Sequence, residues 1–266
     1  MTPDELAREY DNRAKVANFG AIAEAWRQSA EAYRARADGA LGLRYGDGPR
    51  QLMDIFGPGD GPVAMFLHGG YWQAMDRAFF SHLAAGLTAH GVTVAVPSYD
   101  LCPDVTLARI VEEAREATNF LHRRFHRPVL AMGHSAGGHL AACLLATDWP
   151  ALDLPENLIP AAMSFSGLFD LMPLLRVKEG AALRLDAAEA ARLSPMLWPR
   201  PAGRIHAVVG ADEGTEYLRQ SREIATAWGG SWEALAGVNH FSVLAPLADP
   251  DSALVSTALG LLGGEI

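Results

Sequence analysis

The sequence predicts an α/β chain built on a mostly parallel, eight-stranded sheet with helices on both faces. Three observations lead there. Strand-like and helix-like segments alternate along most of the 266 residues. Several of the strand-like segments are continuous apolar runs, as expected for strands buried on both faces. The intervals between the later strands are long enough for crossover connections, which parallel strands require. Half of the residues are hydrophobic, enough for one large core. The reading is a single domain over 1–266, with an N-terminal helical segment at 1–38 and an inserted helical cap at 167–203.

The elements follow in order. "MTPDELAREYDNRAK" carries no apolar leader-like run and reads as a helix start: Thr2 as N-cap, Pro3 at the first helical position, Glu5 completing a capping box. Residues 20–38 place Ile22, Trp26, Ala30 and Tyr33 at helical spacing. The period then shifts. "LGLRY" (41–45) and "QLMDIF" (51–56) are short strands around the turn "GDGPR", and "VAMFL" (63–67) is a buried strand. Strands at 92–96, 128–133, 161–165, 204–210 and 231–236 alternate with helices near 77–90, 105–124, 136–147, 215–228 and 251–262. The stretch 167–203 is too long for a tight connection, hence the expected cap of short helices.

Composition narrows the function classes. The formal net charge of −9 opposes binding to nucleic acid. No apolar run reaches the ~18 residues of a membrane span. The two cysteines, Cys102 and Cys143, form no C-x-x-C pair, so a disulfide framework and a zinc knuckle are not expected, and the count fits a reducing, cytoplasmic setting. No metal or cofactor is called for. The expected partner is a small-molecule substrate, and the N-terminal helices are candidates for covering the site or mediating a homodimer.

In open α/β sheets, ligands bind beyond the carboxyl ends of the strands. "GHSAG" (133–137) sits at one such end, between a strand and a helix, and matches G-x-S-x-G. A turn that sharp needs small flanking residues, which Gly133, Ala136 and Gly137 supply. Ser135 is the candidate nucleophile, and it needs a base. With the order serine, acid, histidine, the nine histidines reduce to one in a loop after the last strand, His240 in "GVNHFSV". His139 lies on the helix after the serine, and His206 lies inside an apolar strand and reads as a satisfied buried residue. The acid belongs to "ADEGTEY", where Asp212 and Glu213 are adjacent and pattern alone does not separate them, while Glu216 already falls in the next helix. "HGGYW" (68–72) follows the third strand, where the other half of an oxyanion hole is built. Backbone N–H groups of Gly70, Tyr71 and Ala136 are the candidate donors, each such donor contributing ~3 kcal/mol to transition-state stabilisation. Gly69 gives the loop its path and His68 pins it. A metal role for His68 lacks neighbouring ligands at suitable spacing.

With these residues in place, the chain resembles the α/β-hydrolase family, and within it the arylformamidase (kynurenine formamidase) branch with its bacterial esterase-like relatives. The resemblance rests on "YDNR", "WRQSAEAYRA", "HGGYWQ", "SYDLCP", "GHSAGGHL", "SGLFDL", "LSP", "EYLRQS" and "NHF", spread over nearly the whole chain. "HGGYWQ" is the most discriminating of them; "GHSAGGHL" is shared by many esterases. The resemblance places the acid at Glu213, reading back from "EYLRQS", where most relatives carry Asp; Asp212 is the alternative. It implies hydrolysis of N-formyl-L-kynurenine to kynurenine and formate through a formyl-enzyme. Such a leaving group calls for a flat aromatic pocket. Tyr71, Trp72 and Phe169 are the candidates to line it, with core or cap packing as the alternative for each. Arg176 and Arg192 in the cap are candidates for the amino-acid end. The competing readings are a general short-chain carboxylesterase or thioesterase with the same triad, a non-catalytic ligand-binding relative, and a metal-dependent amidohydrolase, for which clustered ligands are lacking.

Overall fold

The computed structural model describes residues 1–263. The chain opens with three helices, α1 (Pro3–Tyr10), α2 (Asn12–Lys15) and α3 (Phe19–Arg34). It continues through β1 (Gly39–Arg44), β2 (Leu52–Phe56), β3 (Val63–Leu67), α4 (Ala85–Thr88), β4 (Thr93–Pro97), α5 (Leu107–Phe125), β5 (Val129–His134), α6 (Ala136–Leu145) and β6 (Ala161–Phe165). Then come α7 (Ala187–Arg192), β7 (Arg204–Gly210), α8 (Thr215–Trp228), β8 (Ser231–Leu235) and α9 (Ala253–Gly263). The strands form one sheet in the order β1-β2-β4-β3-β5-β6-β7-β8. β2 is antiparallel to β1 and to β4, and every pairing from β4 through β3 to β8 is parallel.

The apolar runs explain the layering. All five residues of β3 are buried, and successive side chains enter opposite cores. Met65 and Leu67 join the cluster that includes Leu140, Leu144 and Ile224 from α6 and α8; Ala64 and Phe66 join the cluster with Trp26, Phe80 and Val255. β4, β5 and β6 are likewise buried along their length, whereas the edge strands β1 and β8 alternate toward solvent. The N-terminal capping box forms as its residues dictate: Thr2 Oγ1 accepts from Glu5 N–H, and the Glu5 carboxylate accepts from Thr2 N–H at 2.7 Å. Among the described residues, no helix is long and apolar enough to cross a membrane.

Two expectations are corrected here. The helix expected near 77–90 is instead two 3-10 turns, Arg77–Phe79 and Ser81–Ala84, followed by the single turn of α4. Arg34 from α3 donates to the carbonyl of Ala78 at 2.6 Å and to Ser81 Oγ at 2.9 Å, tying these turns to the N-terminal segment. His206 is paired rather than deeply buried. On β7, it bonds Ser231 Oγ (2.8 Å) and Glu233 (3.0 Å) of the exposed edge strand. Between β6 and β7 the chain forms 3-10 turns at Met172–Arg176, Lys178–Leu183 and Pro195–Leu197 around α7.

Candidate active site

Ser135 stands at the junction of β5 and α6 with φ 54° and ψ −114°. A non-glycine residue in this region is strained and needs support from its surroundings. The support is steric. A Cβ on Gly133 would lie 2.1 Å from the Gly137 carbonyl oxygen, and one on Gly137 would lie 2.0 Å from that of Leu67. The two glycines therefore let β5 turn into α6 directly against β3, which presents Ser135 at the carboxyl end of the sheet.

His240 follows β8 in a loop shaped by Asn239, whose Oδ1 accepts from the N–H groups of Phe241 (3.0 Å) and Ser242 (3.1 Å). His240 Nδ1–H donates to Glu213 Oε2 at 2.7 Å. The other carboxylate oxygen of Glu213 accepts from Gly210 N–H (2.7 Å) and Ser166 Oγ–H (2.5 Å). Three donors hold the Glu213 carboxylate in one orientation, and its side chain is fully buried. This bonding leaves His240 Nε2 as the free acceptor. Asp212 is exposed. Of the two adjacent acids, the structure brings Glu213 to His240. Ser135 and His240 line the same cavity, about 410 Å³ in volume.

The "HGGYW" loop lies over Ser135. Gly70, Tyr71 and Trp72 all have positive φ, at 114°, 53° and 55°. A Cβ on Gly70 would meet the Ala74 carbonyl oxygen at 2.3 Å, so this left-handed path requires glycine there. The Gly70 carbonyl accepts from the N–H groups of Gln73 and Ala74, closing the turn. The N–H groups of Gly70, Tyr71 and Ala136 donate to no other described residue. Such N–H groups around a nucleophile can receive a developing oxyanion. His68 stacks on Tyr99 (4.2 Å between ring centroids) and lies parallel to Phe80 (6.0 Å). Its Nδ1–H donates to Gly69 O at 2.7 Å, and Tyr99 Oη–H donates to the His68 carbonyl at 2.7 Å. A Cβ on Gly69 would crowd His134 Nδ1 at 2.8 Å.

Tyr71 belongs to a chain of hydroxyls. Its Oη donates to the Tyr10 carbonyl (2.7 Å) and lies 2.6 Å from Tyr217 Oη, which also accepts from Asn12 Nδ2 (2.8 Å). Tyr10 Oη donates to Glu216 Oε2 at 3.0 Å. The Tyr217 ring packs 4.7 Å from that of His240. The N-terminal segment is thereby attached both to the glycine loop and to α8.

Three buried histidines surround this centre and stay neutral. Burial depresses His68 and His139 to about 4 and takes His134 well below its ordinary range. His134 Nε2–H donates to the His240 carbonyl (2.7 Å), and His139 Nε2–H to that of Leu193 (2.8 Å). An unfolded chain takes up these protons near pH 6.5, whereas the folded chain does so only near 4 for His68 and His139. Their stabilising contribution is complete above pH 6.5. It falls by about 1.4 kcal/mol per histidine per pH unit down to the folded value. Unfolding midpoints in urea, measured from pH 7 downward, are expected to drop through this window; a flat profile would contradict the neutral assignment.

The pocket-lining expectations are corrected. Trp72 and Phe169 are fully buried in the core and do not line the cavity. The left-handed path through residues 70–72 carries Trp72 inward, where its ring meets His139 edge-on at 5.1 Å. Phe169 N–H is tied to Gln220 Oε1 (2.6 Å), beneath the cap. Arg176 and Arg192 are exposed and outside the cavity. Tyr71 does line it, together with Phe19, Trp26 and Phe241, while Arg13 and Lys178 supply the cations. Of the two roles considered for the N-terminal helices, the structure shows the first: Tyr10, Asp11, Asn12, Arg13, Phe19 and Trp26 contribute to the cavity wall, although neither "YDNR" nor the helical spacing indicates which side chains face it. Among the described residues, no group of three His, Cys, Asp or Glu side chains is placed to hold a metal ion.

Comparison with known proteins agrees with this architecture. Residues 64–192 match a family model described as alpha/beta hydrolase fold. A kynurenine formamidase from Salmo salar is 29% identical over 99% of this chain and 97% of its own length. One from Drosophila melanogaster is 30% identical over 79% of this chain and 77% of its own. A crystal structure of a Silicibacter protein assigned as a thioesterase superposes with a TM-score of 0.89 at 35% identity, covering 96% of this chain and 99% of that one. The chain belongs to the α/β-hydrolase family, in the branch that contains the kynurenine formamidases and bacterial esterase-like proteins, and it is a hydrolase.

Proposed function

We propose that the chain is an aryl formamidase that cleaves N-formyl-L-kynurenine to kynurenine and formate. Ser135 is the nucleophile, His240 the general base and Glu213 the acid that orients it. The observation that carries this reading is the joint position of Ser135 and His240 on a cavity walled by Tyr71, Phe19, Trp26 and Phe241. Relatives named kynurenine formamidase, aligned over most of the chain, support the same substrate.

Ser135 Oγ attacks the formyl carbon while His240 Nε2 takes its proton. Glu213 keeps the other ring proton on Nδ1 and stabilises the imidazolium. The oxyanion forms against the N–H groups of Gly70, Tyr71 and Ala136. His240 then returns its proton to the aryl amine nitrogen, the C–N bond breaks and kynurenine departs. Water, activated by His240, releases formate from the formyl-serine. His68 and Gly69 set the path of the donor loop.

A second reading, a short-chain esterase or thioesterase, is favoured by the likeness to the Silicibacter structure. Comparing kcat/KM for N-formyl-L-kynurenine, p-nitrophenyl acetate and a short acyl-CoA separates the two. The formamidase reading expects the formamide to be preferred. Negligible formamide turnover beside rapid ester or thioester turnover would overturn it.

A further inference from the structure

We infer that Arg13, from the short helix α2, binds a carboxylate at the far end of the leaving group, so that the site selects aryl amines bearing an anionic tail. The inference rests on the formamidase reading for the direction in which the leaving group lies.

Four charged residues line the cavity: Asp11, Arg13, Lys178 and Glu179. Lys178 is already engaged, with Nζ 2.5 Å from Asp11 Oδ2 and 3.7 Å from Glu179 Oε1. Arg13 forms no hydrogen bond or ion pair among the described residues; its guanidinium carbon lies 4.9 Å over the ring of Phe19. Phe19 stands 4.5 Å from Phe241, whose ring meets that of His240 edge-on at 5.3 Å. A line of two aromatic rings therefore runs from the general base to an unpaired guanidinium. A flat aryl amine leaving His240 along these rings brings its tail to Arg13. The planar fork of N–H donors suits a carboxylate, which a lysine would meet only as a point charge.

The neighbouring residues fix this arrangement. Asn12 is anchored to Tyr217 Oη at 2.8 Å, and Asp11 caps α2 by accepting from Ala14 N–H at 3.1 Å. Arg13 follows them on this short, doubly tethered turn. The net charge of −9 provides no general attraction for an anion, so discrimination has to come from a local group of this kind.

The test is calorimetric titration with L-kynurenine and with kynuramine, the same aryl amine without its carboxylate, on the wild type, Arg13→Gln and Arg13→Lys. Melting midpoints serve as the check on folding. The wild type is expected to bind L-kynurenine roughly tenfold more tightly than kynuramine, as one charge-assisted contact provides. Arg13→Gln should erase that preference and Arg13→Lys should restore part of it. A wild type without preference, no binding of either ligand, or a preference that survives in Arg13→Gln overturns the assignment. Turnover of N-formyl-L-kynurenine is read separately. A carboxylate preference without formamide turnover retains Arg13 and rejects the formamidase reading; formamide turnover without the preference does the reverse.

Discussion

Ser135→Ala is expected to lower kcat on ester and formamide substrates alike by at least about 10⁴-fold, the scale on which serine hydrolases respond to loss of their nucleophile. The loss should fall on kcat, because the cavity walls and the N–H groups of Gly70, Tyr71 and Ala136 remain to bind substrate. Stability should change little. The strained backbone at residue 135 is imposed by the packing of Gly133 and Gly137 against their neighbours, and the hydroxyl itself ties no element together. Steady-state kinetics beside a thermal melt checks both halves. Residual activity within tenfold of the wild type would show that another group attacks the substrate.

Glu213→Gln is expected to reduce kcat by about 10³- to 10⁴-fold, the effect of presenting the wrong imidazole tautomer. In the wild type, Gly210 N–H and Ser166 Oγ–H both donate to Oε1, so a glutamine keeps its carbonyl oxygen there. Its NH2 group then faces His240 Nδ1 and can only donate. The ring proton is forced onto Nε2, where a base must accept. Asp212→Asn, at an exposed residue of the same turn, should change kcat by less than about twofold, as surface substitutions generally do. Kinetic profiles of the two variants decide between the acids. A larger loss for Asp212→Asn than for Glu213→Gln would contradict the geometry seen here.

The strands were legible because they are nearly continuous apolar runs, and two-faced burial leaves little room for another pattern. The turn at Ser135 was legible because its constraints are local: two glycines, one small residue, a strand before and a helix after. The resemblance, read back from "EYLRQS", pointed to Glu213, the acid that meets His240, but the residues alone did not separate it from Asp212. That choice depends on which side chain the turn after β7 directs toward Ser166 and His240, and adjacent acids are indistinguishable to a pattern. Trp72 and Phe169 were misplaced for a related reason. Their nearness to strand ends was readable, but the run of positive φ through Gly70, Tyr71 and Trp72 that turns the indole into the core was not. In place of the helix expected near 77–90 stand short turns tied to Arg34, more than forty residues upstream, a contact that local spacing does not reveal. For the N-terminal segment a covering role was legible, but its docking was not. Its docking depends on Tyr10 with Glu216 and Asn12 with Tyr217, contacts some two hundred residues apart in sequence. Helical spacing reveals that α3 has a buried face, but not that Phe19 and Trp26 wall the cavity beside His240.

The central claim is that Ser135 is an activated nucleophile. The most direct measurement is labelling of the purified protein with a fluorophosphonate, followed by peptide mass mapping. The account predicts one adduct, on the peptide carrying Ser135, with no labelling of Ser135→Ala and greatly slowed labelling of Glu213→Gln. A wild type that resists the probe, or a Ser135→Ala protein that labels as readily as the wild type, would contradict it.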